Sequence, residues 1–129
     1  MSLIIVLLLL VCCSHMPNKL VSLFCPLDGP KTSSVSASPS AEIEIGKSLQ
    51  LTCKGGANPA ANYTWYKDNQ TLPGGSKDIH QLASITLEDK GNYHCESKNE
   101  YGQINSTSVH IDVQCKSKHQ QLTQYTCVE

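Results

Sequence analysis

The sequence predicts an all-β sandwich of two packed sheets, and three observations support this. Residues 48–53 alternate polar and apolar side chains, as a strand with one buried face does. Cys53 and Cys95 lie 42 positions apart, with Trp65, the only tryptophan, between them. Tyr93 precedes the second cysteine by two residues and therefore shares a strand face with Cys95. A disulfide that joins two facing sheets and packs against an indole accounts for this arrangement.

This order of cysteine, tryptophan, tyrosine and cysteine is the signature of the immunoglobulin fold. Asp89, Gly91 and Tyr93 are in register with a tyrosine corner, in which the buried tyrosine hydroxyl bonds to upstream backbone. The Cys53–Cys95 bridge would close a loop of about 43 residues and stabilise the domain by roughly 3–4 kcal/mol. We therefore predict an immunoglobulin-like β-sandwich of about seven antiparallel strands with Greek-key topology.

Turn residues separate the predicted strands along the chain. An edge strand is expected at residues 32–38 and ends at Pro39, with Ile43 and Ile45 continuing it. The interval between the two cysteines is too short for the extra strands of a variable-type domain, which indicates the shorter C2 or I type. The remaining strands are predicted at residues 48–53, 63–67, 80–85, 92–98 and 103–113, with a turn-rich connection at residues 69–75.

The ends of the chain indicate an extracellular product. Residues 3–11 are continuously apolar and are followed by small residues, as in a signal peptide cleaved after Ser14. An uncleaved membrane anchor is the competing interpretation, because no lysine or arginine precedes the apolar run. No other apolar stretch reaches membrane length, so we expect a secreted protein or one on the extracellular face of the plasma membrane. The predicted organisation is a signal peptide at 1–14, a linker at 15–30, the Ig-like domain at 31–114, and an unstructured or disulfide-linked tail at 115–129.

Seven cysteines in 129 residues favour an oxidising compartment. Once the leader and the core pair are set aside, Cys25, Cys115 and Cys127 remain. An odd number leaves at least one thiol free or paired with another chain, so a disulfide-linked dimer is a hypothesis. A bridge from Cys115 to Cys127, or from Cys25 to either, is equally compatible with the sequence.

Composition excludes several classes of function. Ten lysines balance eleven acidic residues, arginine is absent and no basic run occurs, so nucleic-acid binding is not expected.

His94 and His110 both face away from the core by strand alternation, but a metal site needs three or four ligands, and we expect neither a metal nor a cofactor. His80 occupies an inward position and is expected to be a partly buried histidine. No nucleophile and base can be assembled into an active site, so we do not expect an enzyme.

Three glycosylation sequons are present, at Asn62, Asn69 and Asn105. Trp65 faces inward, so Asn62, three residues earlier on the same strand, faces outward. Asn105 shares the parity of inward-facing Val109, so it is accessible only if the strand starts or bulges after it. Glycans on Asn62 and Asn105 would lie near one end of the sandwich, which favours a spacer or a side-face binding role over binding through the loop tips.

Six motifs lie within residues 31–113: VSASPS at 35–40, LQLTC at 49–53, ANP at 57–59, NYTWYK at 62–67, LEDKGNYHCE at 87–96 and NEYG at 99–102. In these motifs the chain resembles siglec-type B-cell receptors, particularly the multi-domain forms of fishes. This resemblance implies an extracellular Ig-like module that recognises protein partners. In siglecs an arginine of a variable-type domain binds sialic acid, and this chain has neither, so we do not expect sialic-acid binding.

These observations lead to one principal hypothesis and one alternative. We expect a binding or adhesion module of an immune-receptor-like protein, with a protein ligand or receptor partner on cell surfaces, that acts in recognition or as a spacer. The alternative is a soluble structural or decoy fragment, a truncated isoform linked to another chain through its extra cysteines. Residues 123–128 match the tyrosine-based switch motif of immunoreceptors, but a secreted Tyr125 would lie beyond cytosolic kinases, so we interpret the match as chance.

Overall fold

The computed structural model describes residues 27–31, 33–74 and 76–115. The predicted leader, most of the predicted linker, and the tail after Cys115 lie outside these residues, as do Cys25, Cys127 and Tyr125. A single 3₁₀ turn spans Leu87–Asp89. The strands are β1 (Ser34–Ser38), β2 (Glu42–Glu44), β3 (Leu49–Lys54), β4 (Asn62–Lys67), β5 (Gln70–Thr71), β6 (Ile79–Leu82), β7 (Gly91–Asn99), β8 (Gly102–Asn105) and β9 (Val109–Gln114).

Two sheets form the sandwich, and the predicted fold class is confirmed. The smaller sheet has the order β1-β3-β6, and the larger has the order β2-β9-β7-β4-β5, with β8 also paired to β7. Every strand pair is antiparallel except β2 with β9, which is parallel. The polypeptide therefore crosses from one sheet to the other several times.

The first predicted strand is divided between the two sheets. Residues of β1 pair with β3, whereas Ile43 in β2 pairs with Val113 in β9. Pro39 lies at the division, where its missing N–H cannot continue the ladder with β3. The chain keeps its direction as it changes sheets, which explains the parallel pairing. Ile45 lies in the turn after β2 and is 37% exposed.

The last predicted strand, at residues 103–113, is also two strands. Ser106 interrupts it: its backbone N–H donates to the Cys95 carbonyl at 2.8 Å, and its hydroxyl accepts from the Cys95 N–H at 3.0 Å. A side-chain oxygen thus replaces the carbonyl that a continuous strand would have offered. This bulge resets the alternation, so that Asn105 is exposed although Val109 packs against the core.

The core lies between the sheets and follows the predicted alternation. Along β3, Leu49, Leu51 and Cys53 are buried, while their neighbours face outward. The same alternation along β7 buries Tyr93, Cys95 and Ser97. The other buried apolar side chains are Ile43, Trp65, Ile85, Ile111 and Val113.

The described chain enters and leaves the domain at opposite ends. At one end, Asp28 and Asn58 exchange two backbone hydrogen bonds of 2.7 and 3.1 Å. The Asn99 side-chain amide donates to the Asp28 carbonyl at 2.8 Å and holds this segment against the end of β7. Because β9 runs antiparallel to β7, Cys115 follows β9 at the other end, where the Ile45 N–H donates to the Gln114 carbonyl at 3.0 Å.

Candidate binding faces

A disulfide joins Cys53 in β3 to Cys95 in β7, with 6.3 Å between their Cα atoms, which confirms the predicted bridge. Both residues are at most 2% exposed. Trp65 lies directly opposite Cys95 and is itself 3% exposed. Its indole N–H donates to the Lys77 carbonyl at 3.1 Å, so the buried polar atom of the ring is satisfied. These residues therefore hold the two sheets together.

Two serine hydroxyls surround the bridge. The Ser33 oxygen lies 3.4 Å from the Cys53 sulfur and 3.5 Å from the Cys95 sulfur. Ser97, which is 1% exposed, lies 3.4 Å from the Ser33 hydroxyl and 3.8 Å from the Cys53 sulfur. Each buried hydroxyl thus has a partner, and the cluster satisfies polar groups inside the core.

The structure contains a tyrosine corner at Tyr93. The hydroxyl of this buried residue donates to the Asp89 carbonyl at 2.7 Å. Burial, with contributions from the Asp89 and Asp68 carboxylates, raises the pKa of Tyr93 to about 12. The Asp89 carboxylate accepts from the Thr86 N–H at 2.7 Å and from its hydroxyl at 3.0 Å, which fixes the turn before β7.

Gly91 is required by a close approach at the same corner. A Cβ at this position would lie 2.5 Å from an Asp68 carboxylate oxygen. That carboxylate is held in place because its other oxygen accepts from the Asn92 N–H at 2.9 Å. The glycine therefore serves packing rather than binding.

His80 is partly buried on β6, directly opposite Leu51. Its ring centroid lies 5.9 Å from that of Trp65, and its Nε2 is buried without a hydrogen-bond partner among the described residues. Burial lowers the pKa of His80 from its ordinary value of 6.5, although the Asp89 carboxylate opposes this effect. Burial therefore favours the neutral form of this imidazole.

The outer face of the larger sheet carries an aromatic pair. Tyr66 in β4 lies opposite His94 in β7, and the two rings stack with centroids 4.9 Å apart and planes inclined by 7°. On the adjacent β9, the His110 Nδ1 lies 3.0 Å from the Asn92 side-chain oxygen. Both histidines face outward, as predicted from alternation. Within the described ranges, no group of three histidines, cysteines or carboxylates is placed to hold a metal ion.

All three sequons lie on the larger sheet or in its hairpin turn. Asn62 is the first residue of β4 and Asn105 is the last residue of β8. Asn69 occupies the turn between β4 and β5, with a φ of 66°, in the left-handed region that asparagine tolerates. Each asparagine is exposed, and their glycosylation remains a prediction.

The outer face of the smaller sheet is chemically different. Serine, threonine and glutamine side chains form most of its rows, and Ile79 at its β6 edge is 44% exposed. Lys54 is the one charged residue that the three strands of this sheet contribute to the face. The larger sheet, in contrast, carries charged groups such as the Lys90–Asp112 ion pair, with a nitrogen–oxygen distance of 2.7 Å. Hydrogen bonding to Lys90 lowers the pKa of Asp112.

The sequence reasoning missed two features of these faces. Alternation places both Tyr66 and His94 outward, but their stacking depends on the register that pairs Trp65 with Cys95. The low number of charged residues on the smaller sheet also depends on β1, β3 and β6 being neighbours, which the sequence does not show.

Across the described part of the chain, no serine hydroxyl is hydrogen-bonded to a histidine, and the core cysteines are committed to their bridge. The described residues form no helix long and apolar enough to cross a membrane.

Comparison with known proteins identifies the domain. The family model of the immunoglobulin domain matches residues 30–113. The chain is 39% identical over 80 residues to a fibroblast growth factor receptor of Halocynthia roretzi, covering 56% of this chain and 10% of the receptor. It is 35% identical over 74 residues to the B-cell receptor CD22 of Mus musculus, covering 57% of this chain and 8% of that protein. The expected resemblance to siglec-type B-cell receptors is therefore confirmed.

Solved structures show the same architecture. The second Ig-C2 domain of human Fc-receptor like A has a TM-score of 0.58 at 25% identity, covering 65% of this chain and 98% of that domain. Murine CEACAM1b also has a TM-score of 0.58, at 24% identity, and the alignment covers 65% of this chain and 45% of the CEACAM1b chain. At this identity the likeness supports the fold alone. The chain spans about a tenth of the length of its curated relatives. It belongs to the immunoglobulin domain family.

Proposed function

We propose that this chain is an extracellular Ig-like module of an immune-receptor-like protein that recognises a protein partner through an exposed sheet face. The observation that carries the proposal is that the domain is a complete sandwich. Its core cysteines are joined to each other, while the outer faces of its two sheets are exposed. The core disulfide and the three exposed sequons support an oxidising, glycosylating compartment. The predicted leader at 1–14, domain at 31–114 and tail at 115–129 belong to this proposal.

A spacer role has its own structural support. The Asp28 segment and Cys115 lie at opposite ends of the sandwich, so the length of the domain would separate the points at which the chain enters and leaves it. The backbone and side-chain bonds from Asp28 to Asn58 and Asn99 fix the direction in which the chain enters. Such anchoring would hold the short segment before the domain in one direction, a property that a spacer needs and an isolated binding domain does not.

The alternative, a fragment covalently linked to another chain, depends on the cysteines outside the core. Cys115 is already disulfide-bonded within this chain, so an interchain bridge would have to use a different cysteine. A non-reducing gel separates the two hypotheses, since only the alternative requires a covalent dimer.

Binding to cells tests recognition most simply. The full chain, secreted by a eukaryotic cell and tetramerised through a biotin tag, would be applied to a panel of immune cells. We expect saturable staining that protease treatment of the cells removes and sialidase treatment leaves unchanged. The control is the same tetramer with the chain unfolded by reduction. Staining of no cell type would contradict protein recognition, and loss of staining with sialidase would contradict the proposed class of ligand.

A further inference from the structure

We propose that the first sugar of a glycan on Asn69 is held against the ring of Tyr66, on the outer face of the larger sheet. The inference rests on the proposed function, because it needs a compartment in which Asn69 is glycosylated. It also deepens that function, since a sugar held there would cover the Tyr66–His94 pair and leave a protein partner to bind elsewhere on the domain. Three features carry the argument: the direction in which the two rings stack, the open side of the Tyr66 ring, and the turn that bears Asn69.

Tyr66 and His94 stack from strand to strand. Their ring centroids lie 4.9 Å apart with planes inclined by 7°. This distance matches the ~4.8 Å that separates neighbouring strands of a sheet, so both rings stand upright on the sheet and are stacked along its strand-to-strand direction. One side of the Tyr66 ring therefore faces His94 in β7. The opposite side faces β5, because β4 lies between β7 and β5.

Thr71 is the residue of β5 that lies beside this second side of the ring. It is the direct cross-strand partner of Tyr66, so the two side chains leave the same face of the sheet. A threonine side chain is much shorter than a tyrosine side chain, so it reaches only the base of the ring. Both residues of β5 are exposed, and among the described residues β5 is the last strand on this side of the sheet. A sugar can therefore lie above Thr71 and beside the Tyr66 ring.

The turn between β4 and β5 places Asn69 within reach of this space. Asp68 and Asn69 have φ angles of 46° and 66°, as the two central residues of a type I′ turn do. The turn is held in place because the Asp68 carboxylate accepts from the Asn92 N–H at 2.9 Å. Asn69 is exposed and precedes Thr71 by two residues, or roughly 7 Å along the strand. An asparagine side chain with one sugar attached spans a distance of this order.

The chemistry of the first sugar suits an aromatic surface. One side of an N-acetylglucosamine ring consists of C–H groups, whose hydrogens carry a small positive charge. The face of an aromatic ring is negative and attracts such hydrogens, and the contact also removes apolar surface from water. The hydroxyl groups at the rim of the sugar stay in water, so no polar group is left without a partner.

The other two sequons are less well placed to reach this ring. Asn62 lies four residues before Tyr66 in β4, or roughly 13 Å along the strand. Asn105 lies opposite the charged residue Glu96, on the side of β7 away from β4. The register therefore selects Asn69 for the contact and makes Asn105 the matched control.

A comparison of glycan removal with and without the ring tests the contact. The full chain would be secreted by a cell that makes only high-mannose glycans, trimmed enzymatically to one sugar at each site, and checked for occupancy by mass spectrometry. Asn69→Asp removes the sequon, and aspartate tolerates the left-handed turn as asparagine does. We expect this substitution to lower the melting temperature by at least about 3 °C more in the wild-type background than in Tyr66→Leu. Asn105→Asp should have the same effect in both backgrounds.

A magnetic resonance measurement on the wild type keeps the proposal testable if Tyr66→Leu is not secreted. The ring current of an aromatic side chain shifts protons stacked on its face upfield. With isotope-labelled sugars, we expect an upfield shift for the Asn69 sugar and not for the Asn105 sugar.

Three results would overturn the proposal: unshifted resonances for the Asn69 sugar, an equal effect of Asn69→Asp with and without the ring, or an Asn69 that stays unglycosylated in the secreted chain. If the chain still stained cells in any of these cases, only the sugar contact would be refuted and the proposed function would stand.

Discussion

Tyr93→Phe tests the structural role assigned to the tyrosine corner. The substitution removes one hydroxyl from a residue that is 1% exposed, and with it the 2.7 Å bond to the Asp89 carbonyl. A buried hydrogen bond of this kind, whose acceptor is then left unpaired, is worth about 1–2 kcal/mol. Each kcal/mol lowers the melting temperature of a domain of this size by about 4–8 °C. Tyr101→Phe, at a residue that is 48% exposed, is the matched control and should change little.

Tyr93→Phe should also change how the free energy of unfolding depends on pH in the alkaline range. The unfolded chain ionises Tyr93 near pH 10, whereas the folded domain retains the proton until about pH 12. The folded state therefore binds more protons within this window, so the stability from this residue is complete below pH 10 and is lost as the pH rises toward 12. Phenylalanine removes this loss. Urea unfolding at pH 8, 10 and 11 would measure it, and equal alkaline slopes for variant and wild type would refute the assignment.

Three further variants test other positions. His80→Leu should weaken the pH dependence of the free energy of unfolding at acid pH. Because burial lowers the histidine pKa below 6.5, the stability of the wild type is greatest above pH 6.5 and falls as the pH decreases. The urea midpoints at pH 7.5 and pH 5 should therefore differ less in the variant than in the wild type. Gly91→Ala should cost about 1–3 kcal/mol by overpacking, whereas Gly56→Ala, with nothing within 4 Å of the added Cβ, should cost less than about 0.5 kcal/mol by the same unfolding assay. Ser106→Ala removes the acceptor of the Cys95 N–H and should cost about 1–3 kcal/mol, while Ser108→Ala should be near neutral; equal values for the pair would contradict the role of the bulge.

The core of the fold was predictable because its chemistry is local and periodic. Alternation along residues 48–53 fixes which side chains of β3 are buried, and the pair Cys53 and Cys95 fixes which strands face each other. Strand ends were less predictable. Propensity predicts one strand over residues 103–113, and the two hydrogen bonds between Ser106 and the Cys95 backbone divide it.

The candidate binding faces could be predicted only in part. Outward positions such as His94 follow from parity with Cys95, and the exposure of Asn62 follows from Trp65 in the same way. Sheet neighbours do not follow, because pairing joins residues far apart in sequence. Thr52 and Ile79 became one row only through the register of β3 with β6. The distribution of all sequons on one sheet was invisible for the same reason.

Peptide mass spectrometry of the secreted chain tests the central claim most directly. The protein would be expressed in a eukaryotic cell, recovered from medium and membrane fractions, and digested without reduction. We expect a peptide that links Cys53 to Cys95, together with glycans on Asn62, Asn69 and Asn105, in material from the medium or the outer cell surface. Unglycosylated protein that stays inside the cell with both cysteines reduced would contradict an extracellular binding module.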